Sequence, residues 1–294
     1  MEKKGLQDKR SLNPQFRDHV LCRIAPVILF ILTIYTAITN GVFFFGNKFE
    51  LSTSIWKGIP YALAILLIMG THALGHYIAA RFHGVRVYPP YFIPFSSVIG
   101  TVGAYTKMHW PISGRRALII IFTAGPIASF CVSWIILIIG LFLSEIKDVS
   151  TNNVMGLWEP LILRITSLAI FGSLPDTKDI MLHPVAYAGW IGMFYNFLHL
   201  LPIGRFDGGR LVYALWGYRV MQWISFVSIG ILLLLGFFWF GWFIMAIMGV
   251  IHNIRLRRQY PSDQYNEPIE RSMKILIYIT VVIFIISFIP APYR

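Results

Sequence analysis

Charge is what this chain has least of. Only 13% of its 294 residues are Asp, Glu, Lys or Arg, about half the share of an ordinary soluble domain. That shortage excludes a freely soluble globular fold. Cysteine is almost absent too: Cys22 and Cys131 sit at or within apolar runs, which excludes a disulfide framework and a Cys-rich metal site. Internal repeats and low-complexity tracts are lacking. So is any Lys/Arg run interleaved with aromatics, so the formal net charge of +12 does not argue for nucleic acid. Residues 1–23 are polar and basic but have no short apolar core or small-residue cleavage site, so they read as a cytoplasmic tail and not as a signal peptide.

What is present is apolar sequence: 56% hydrophobic, 16% aromatic, mean hydropathy +0.66. A membrane span needs ~20 apolar residues. Ile24 to Phe45, Ile59 to Ala80, Ala117 to Leu143 and Pro184 to Leu201 read as spans, with a last one at Ile275 to Ile289. Val220 to Ile251 is apolar throughout but interrupted near Gly236 to Gly241, and reads as a hairpin of two short helices, with one long tilted helix as the alternative. The expected fold is an all-α polytopic membrane protein of about six to seven transmembrane helices, forming a single domain over residues 24–294. Lys and Arg gather in the N-terminal tail, in the 81–116 region, at 205–219 and at 255–274. The positive-inside rule then places the N-terminus in the cytoplasm.

Three stretches depart from this background. The first is Gly70-Thr71-His72-Ala73-Leu74-Gly75-His76-Tyr77. Histidines four apart on a helix share a face, one turn above the other, and can close on one metal ion. In the hydrolytic form of this device, His-Glu-x-x-His, the Glu is the general base; here its position holds Ala73. Ionisable groups inside a span are functional candidates by default. The second stretch, Val87 to Met108, has Pro89, Pro90, Pro94, Gly100 and Gly103 among Tyr, Phe, Val and Ile. That pattern breaks helices yet is too apolar for a surface loop, so it reads as a re-entrant β-hairpin or loop. The third, Pro202 to Gly209, breaks a helix and places Asp207 in an apolar neighbourhood.

A catalytic zinc commonly takes three protein ligands. His83 shares the face of His72 and His76, but seven residues beyond His76 is ~10 Å along the axis, too far for a common ion. Asp207 is the better third ligand, since an unpaired buried carboxylate is costly; it could also cap the helix that restarts at Gly208.

Taken together, these stretches resemble the site-2 protease family of intramembrane zinc metalloproteases, in its bacterial type without accessory domains. The family's His-Glu-x-x-His falls on His72 to His76, its Leu-Asp-Gly on Phe206-Asp207-Gly208, its Gly-Thr-x-Gly-Ala on Gly100-Thr101-Val102-Gly103-Ala104, and its Ala-Gly-Pro on Ala124-Gly125-Pro126. The resemblance implies one zinc per chain on His72, His76 and Asp207. It implies cleavage of single-span membrane proteins already trimmed on their outer side, with residues 100–104 receiving the substrate. Two positions depart from the pattern. Ala73 replaces the Glu, so the chain as written is expected to be inactive. His199 stands where Asn-x-x-Pro has its Asn, and could serve as an oxyanion or substrate contact or as a fourth zinc ligand; Asn196, one turn away, could compensate as a substrate contact. Ala73 reads as an introduced inactivating change, since the other motifs are present. A natural pseudoprotease that binds membrane proteins without cutting them is the alternative. A transporter is more remote, since inverted repeats are missing, and a di-iron oxygenase would need further His-x-x-x-His boxes.

Overall fold

The computed structural model describes residues 14–45, 51–95, 100–110, 112, 114–148, 158–175, 177–254 and 268–291. These form eight helices and two small sheets. The helices are α1 (Pro14–Phe45), α2 (Leu51–Phe82), α3 (Arg115–Phe142), α4 (Leu161–Phe171), α5 (Pro184–Leu200), α6 (Asp207–Leu235), α7 (Gly241–Ile254) and α8 (Arg271–Ile286). Four of them contain stretches long and apolar enough to cross a membrane: Ile24–Phe45, Ile55–Phe82, Arg115–Phe142 and Asp207–Leu235. The chain is an all-α polytopic membrane protein. Helix α1 begins at Pro14, while its stretch apolar enough to cross a membrane starts at Ile24.

The bundle is ordered around α5. From Ala186 to Phe197 every residue of this 17-residue helix is buried. It packs between α2 and α3, with α8 and α6 also against it. Its entry is set by Pro184 at the first turn, with the His183 ring accepting from the Val185 N–H; proline suits this place because its missing N–H would be unsatisfied anyway. The outer helices turn Leu, Ile, Val and Phe outward, as at Val27, Ile31, Leu63, Ile135, Phe226 and Ile285. Such faces suit lipid.

Two predicted irregularities are where the sequence places them. Val87 to Met108 folds as an antiparallel hairpin, β1 (Tyr91–Pro94) with β2 (Thr101–Tyr105), extended by a bridge between Val87 and Met108; its turn, 96–99, lies outside the described residues. The 220–251 run is a hairpin of two helices. Helix α6 ends at Leu235 and α7 starts at Gly241, and α7 folds back so that Gly249 faces Ile229. Within α6, Gly217 takes a φ of 80° that breaks the helical path. An unexpected sheet pairs β3 (Glu145–Asp148) with β4 (Lys178–Met181). It sets Lys147 opposite Asp179 and Asp148 opposite Lys178, opposite-charge pairs that favour this register.

Candidate metal centre

The three residues singled out as metal ligands meet in the interior. The Nε2 atoms of His72 and His76 are 3.0 Å apart. The Oδ2 atom of Asp207 lies 3.1 Å from Nε2 of His76 and 3.3 Å from Nε2 of His72. All three side chains are buried. The α2 helix supplies the histidines at i and i+4. Asp207 comes from the first turn of α6, after a tight chain reversal at the Pro202 break. That reversal needs Gly208, because a Cβ there would collide with the Leu200 carbonyl. The N-cap position falls on Phe206, with no side-chain cap bond, so the Asp207 carboxylate is directed to the histidines and not spent on capping.

Ring orientation follows from what holds each Nδ1. His76 Nδ1 lies 2.8 Å from the Ile121 carbonyl, which can only accept, so Nδ1 carries the proton. His72 Nδ1 lies 3.0 Å from Ser129 Oγ. The other partners of that hydroxyl are all acceptors: Asn196 Oδ1 at 2.8 Å and the Gly125 and Pro126 carbonyls at 3.0 and 3.3 Å. Ser129 has one proton to give, so its oxygen accepts from His72 Nδ1–H. In the Nδ1–H tautomer that these partners select, both rings present Nε2 lone pairs to each other and to a carboxylate oxygen. Three acceptors at 3.0–3.3 Å repel unless a cation lies among them. A shared proton serves one edge; a metal serves all three. Tetrahedral zinc with ligands at ~2.0–2.1 Å sets its donor atoms about 3.3 Å apart, so the donor set fits zinc. Tying the far ring nitrogen of a ligating histidine is also how such sites are oriented.

Close helix packing makes this possible. A Cβ at Gly75 would sit 2.8 Å from the Ala124 carbonyl, and one at Gly125 would strike His76 Nε2. The Ala-Gly-Pro segment on α3 is thus the wall against which the second histidine ring is seated.

The remaining predicted residues are placed as follows. His199 Nδ1 is 3.3 Å from Asp207 Oδ2, and its ring centroid is 4.5 Å from that of His72; it faces the same cavity. Gly103, with φ 119°, lets β2 lie on the Tyr195 ring, which a Cβ would meet at 2.7 Å. Tyr195 packs on His199 and His72, at centroid distances of 4.3 and 5.2 Å. Thr101 donates to the Ile93 carbonyl and accepts from Gly103 N–H, tying the hairpin across its irregular step; Gly100, φ 83°, precedes it. Ala104 lines the cavity. Of Val102 only its backbone, in β2, lies within the described residues. Asn196 is fully buried and faces away from the cavity: it joins Ser129 and gives its Nδ2–H to the Gly192 carbonyl. Ala73 is fully buried beside the first ligand. His83 hydrogen-bonds the Ala79 carbonyl through Nδ1 and stands apart from the triad.

The metal-ligand group opens on a cavity of about 170 Å³ bounded by the triad, by Ala104 to Thr106 of the hairpin, and by Arg205, Phe206 and Arg210 around the start of α6. Three contributors carried no sequence expectation: Ser129, Thr106 and Arg210. Ser129 resembles any small residue of a packed span. Arg210 carries a usable signal, a cation one turn after Asp207 in a buried, largely apolar turn of helix.

Buried histidines at i and i+4, joined to a carboxylate from a broken span, form a group within the helical bundle that could hold a metal ion. Residues 60–240 match the family described as "Peptidase family M50", and the chain belongs to that family of site-2 proteases. Among curated proteins, it is 28% identical over 216 residues to "Probable zinc metalloprotease EGY2, chloroplastic" of Arabidopsis thaliana, covering 71% of this chain and 39% of that protein. It is 33% identical over 168 residues to "Probable zinc metalloprotease EGY1, chloroplastic" of the same plant, covering 55% and 30%. A third, "Probable zinc metallopeptidase EGY3, chloroplastic", is 24% identical over 242 residues, covering 76% and 42%. The chain thus spans less than half the length of these relatives. No solved structure matches.

Proposed function

We propose that the chain is an intramembrane zinc metalloprotease core for single-span membrane proteins, held in an inactive form by Ala73. The observation that carries this reading is the convergence of three lone pairs, on His72, His76 and Asp207, with both Nδ1 protons already committed. A zinc bound there, one per chain, supplies Lewis-acid chemistry, acidifying water and polarising a carbonyl. The residues around it divide the remaining work. Ser129 and the Ile121 carbonyl orient the ligands. The β1–β2 hairpin, with Ala104, Tyr105 and Thr106 on the cavity wall, receives a substrate strand by edge pairing, which requires the substrate helix to unwind. His199 contacts the substrate carbonyl or its developing oxyanion. Ala73 has no group that moves a proton to a departing amine, so hydrolysis stops there.

On this reading the substrates are already shortened on their outer side, as the family resemblance implies. The distribution of Lys and Arg supports a cytoplasmic N-terminus, and the location proposed with it is a bacterial cytoplasmic membrane. A second reading has its own observation: His199 replaces Asn directly against the ligand carboxylate, so two positions of the site depart together, as in a natural pseudoprotease that binds without cutting.

Two measurements test the proposal. Zinc content should be near one per chain and fall to near none in Asp207→Ala; undiminished zinc would remove Asp207 from the site. Single cysteines along 91–105 should crosslink to a bound substrate's transmembrane segment with roughly alternate-residue periodicity. Uniform crosslinking, with substrate bound, would rule out strand pairing.

A further inference from the structure

The cavity has two buried polar side chains that the metal reading leaves unused. Arg210 is 9% exposed. Its guanidinium carbon lies 4.5 Å from the Phe122 ring centroid and 5.5 Å from that of Trp110, and its Nε has no hydrogen-bond partner among the described residues. Thr106 is 8% exposed, and its hydroxyl likewise has no partner there. Both line the same cavity as His72, His76 and Asp207.

Aromatic faces attract a guanidinium, but they accept none of its fork of N–H donors in the plane, and a buried donor left unmade is costly. The carboxylate in the cavity, Asp207, is turned toward three histidines, with Oδ2 3.1–3.3 Å from their ring nitrogens. What completes Arg210 is an anion with two in-plane acceptor oxygens, with the Thr106 hydroxyl as a further donor. Of the charged groups lining the cavity, the Arg205 and Arg210 guanidiniums outnumber the single Asp207 carboxylate, and a bound divalent metal would add to the excess, a balance that favours an anionic occupant.

We infer that Arg210, assisted by Thr106, is a carboxylate subsite that takes the C-terminal α-carboxylate of a peptide lying in the cavity. This rests on the peptide-handling role proposed above. The ligand is the kind of end that peptide cleavage creates, so the subsite retains or accepts a free C-terminus beside the metal pole.

The test titrates the full chain in detergent, in metal-free and zinc-loaded forms, with N-acetyl-L-leucine and with its uncharged amide. Binding is followed by line broadening of a ¹³C label at the terminal carbonyl. In both metal forms the acid should bind at least ~10-fold more tightly than the amide. Arg210→Gln should weaken the acid by roughly 10–100-fold and leave the amide and the zinc content unchanged. Arg210→Lys, which keeps the charge but loses the fork, should recover part of the loss, and Thr106→Val should cost a few-fold. Equal binding of acid and amide, acid binding unmoved by Arg210→Gln, or no binding in any form would overturn the assignment. Because the metal-free arm stands alone, a chain that fails to take zinc while still binding the acid through Arg210 would refute the metal reading and leave this one standing.

Discussion

The ligand pole and position 73, where the family pattern has its Glu, are built on opposite terms. At the ligand pole every ring nitrogen has a partner: Ile121 and Ser129 hold the far sides, and the near sides converge with Asp207. Glycines at 75 and 125 are spent on seating one of these rings. At position 73, one residue after the first ligand, there is only a buried methyl group. On the function proposed above, the contrast makes metal binding and proton transfer separable. A scaffold can keep its ligand geometry intact by side-chain hydrogen bonds and helix packing while lacking the one group that carries protons. Ala suits this because it is the best helix former and leaves α2 undisturbed.

The experiment that would break the contrast most sharply is to restore the missing group. Ala73→Glu should raise cleavage of a tagged single-span substrate, already shortened on its outer side, by ~10²–10⁴-fold, the usual worth of positioned acid–base catalysis. Cleavage should vanish on chelation. If Ala73→Glu protein binds zinc and substrate yet cuts nothing, a further His199→Asn change decides between a site degenerate at two positions and a wrong choice of substrate.

How much of this was legible in the sequence depends on range. The histidine pair, the break at Pro202 and the hairpin composition are local signals, readable because four-residue spacing and Pro/Gly content act through the nearest turns of chain. That Asp207 would close on the pair 131 residues away in sequence was reasoned from the cost of a lone buried carboxylate, and the chain reversal at Gly208 brings it there. The β3–β4 sheet was not legible: its strands are short, exposed and separated by a whole helix, so no periodicity marks them. Ser129 was hidden because a serine bonded back to the carbonyl four residues earlier, as this one also is, is unremarkable in a span. Arg210 was counted only as one more charge setting orientation.

A smaller effect sharpens the comparison from the ligand side. Ser129→Ala leaves His72 Nδ1–H without an acceptor in a buried place and frees the ring to turn. Loss of such a ligand-orienting partner typically costs 10–100-fold in metal affinity. Zinc affinity measured by competition with a chelator should fall by about that much, with the fold unchanged in thermal melting. An unaltered affinity would mean that Asp207 and His76 alone fix the ion.

The smallest expected effect discriminates between two roles for Asn196. Its side chain is fully buried, with Oδ1 on Ser129 and Nδ2 on the Gly192 carbonyl. In this arrangement it sits behind His72 and touches the ligand only through Ser129. Removing it leaves Ser129 another acceptor, the Gly125 carbonyl at 3.0 Å, so Ser129 still accepts from His72. Asn196→Ala should therefore lower zinc affinity by roughly 2–10-fold, the worth of one net hydrogen bond, which is less than Ser129→Ala. It should leave the crosslinking pattern of the hairpin unchanged. If Asn196 instead meets the substrate, as its place one turn before His199 suggests, the order reverses: zinc binding holds and substrate capture falls. Measuring both quantities on the same variant separates a residue that supports the ligand pole from one that faces the bound strand.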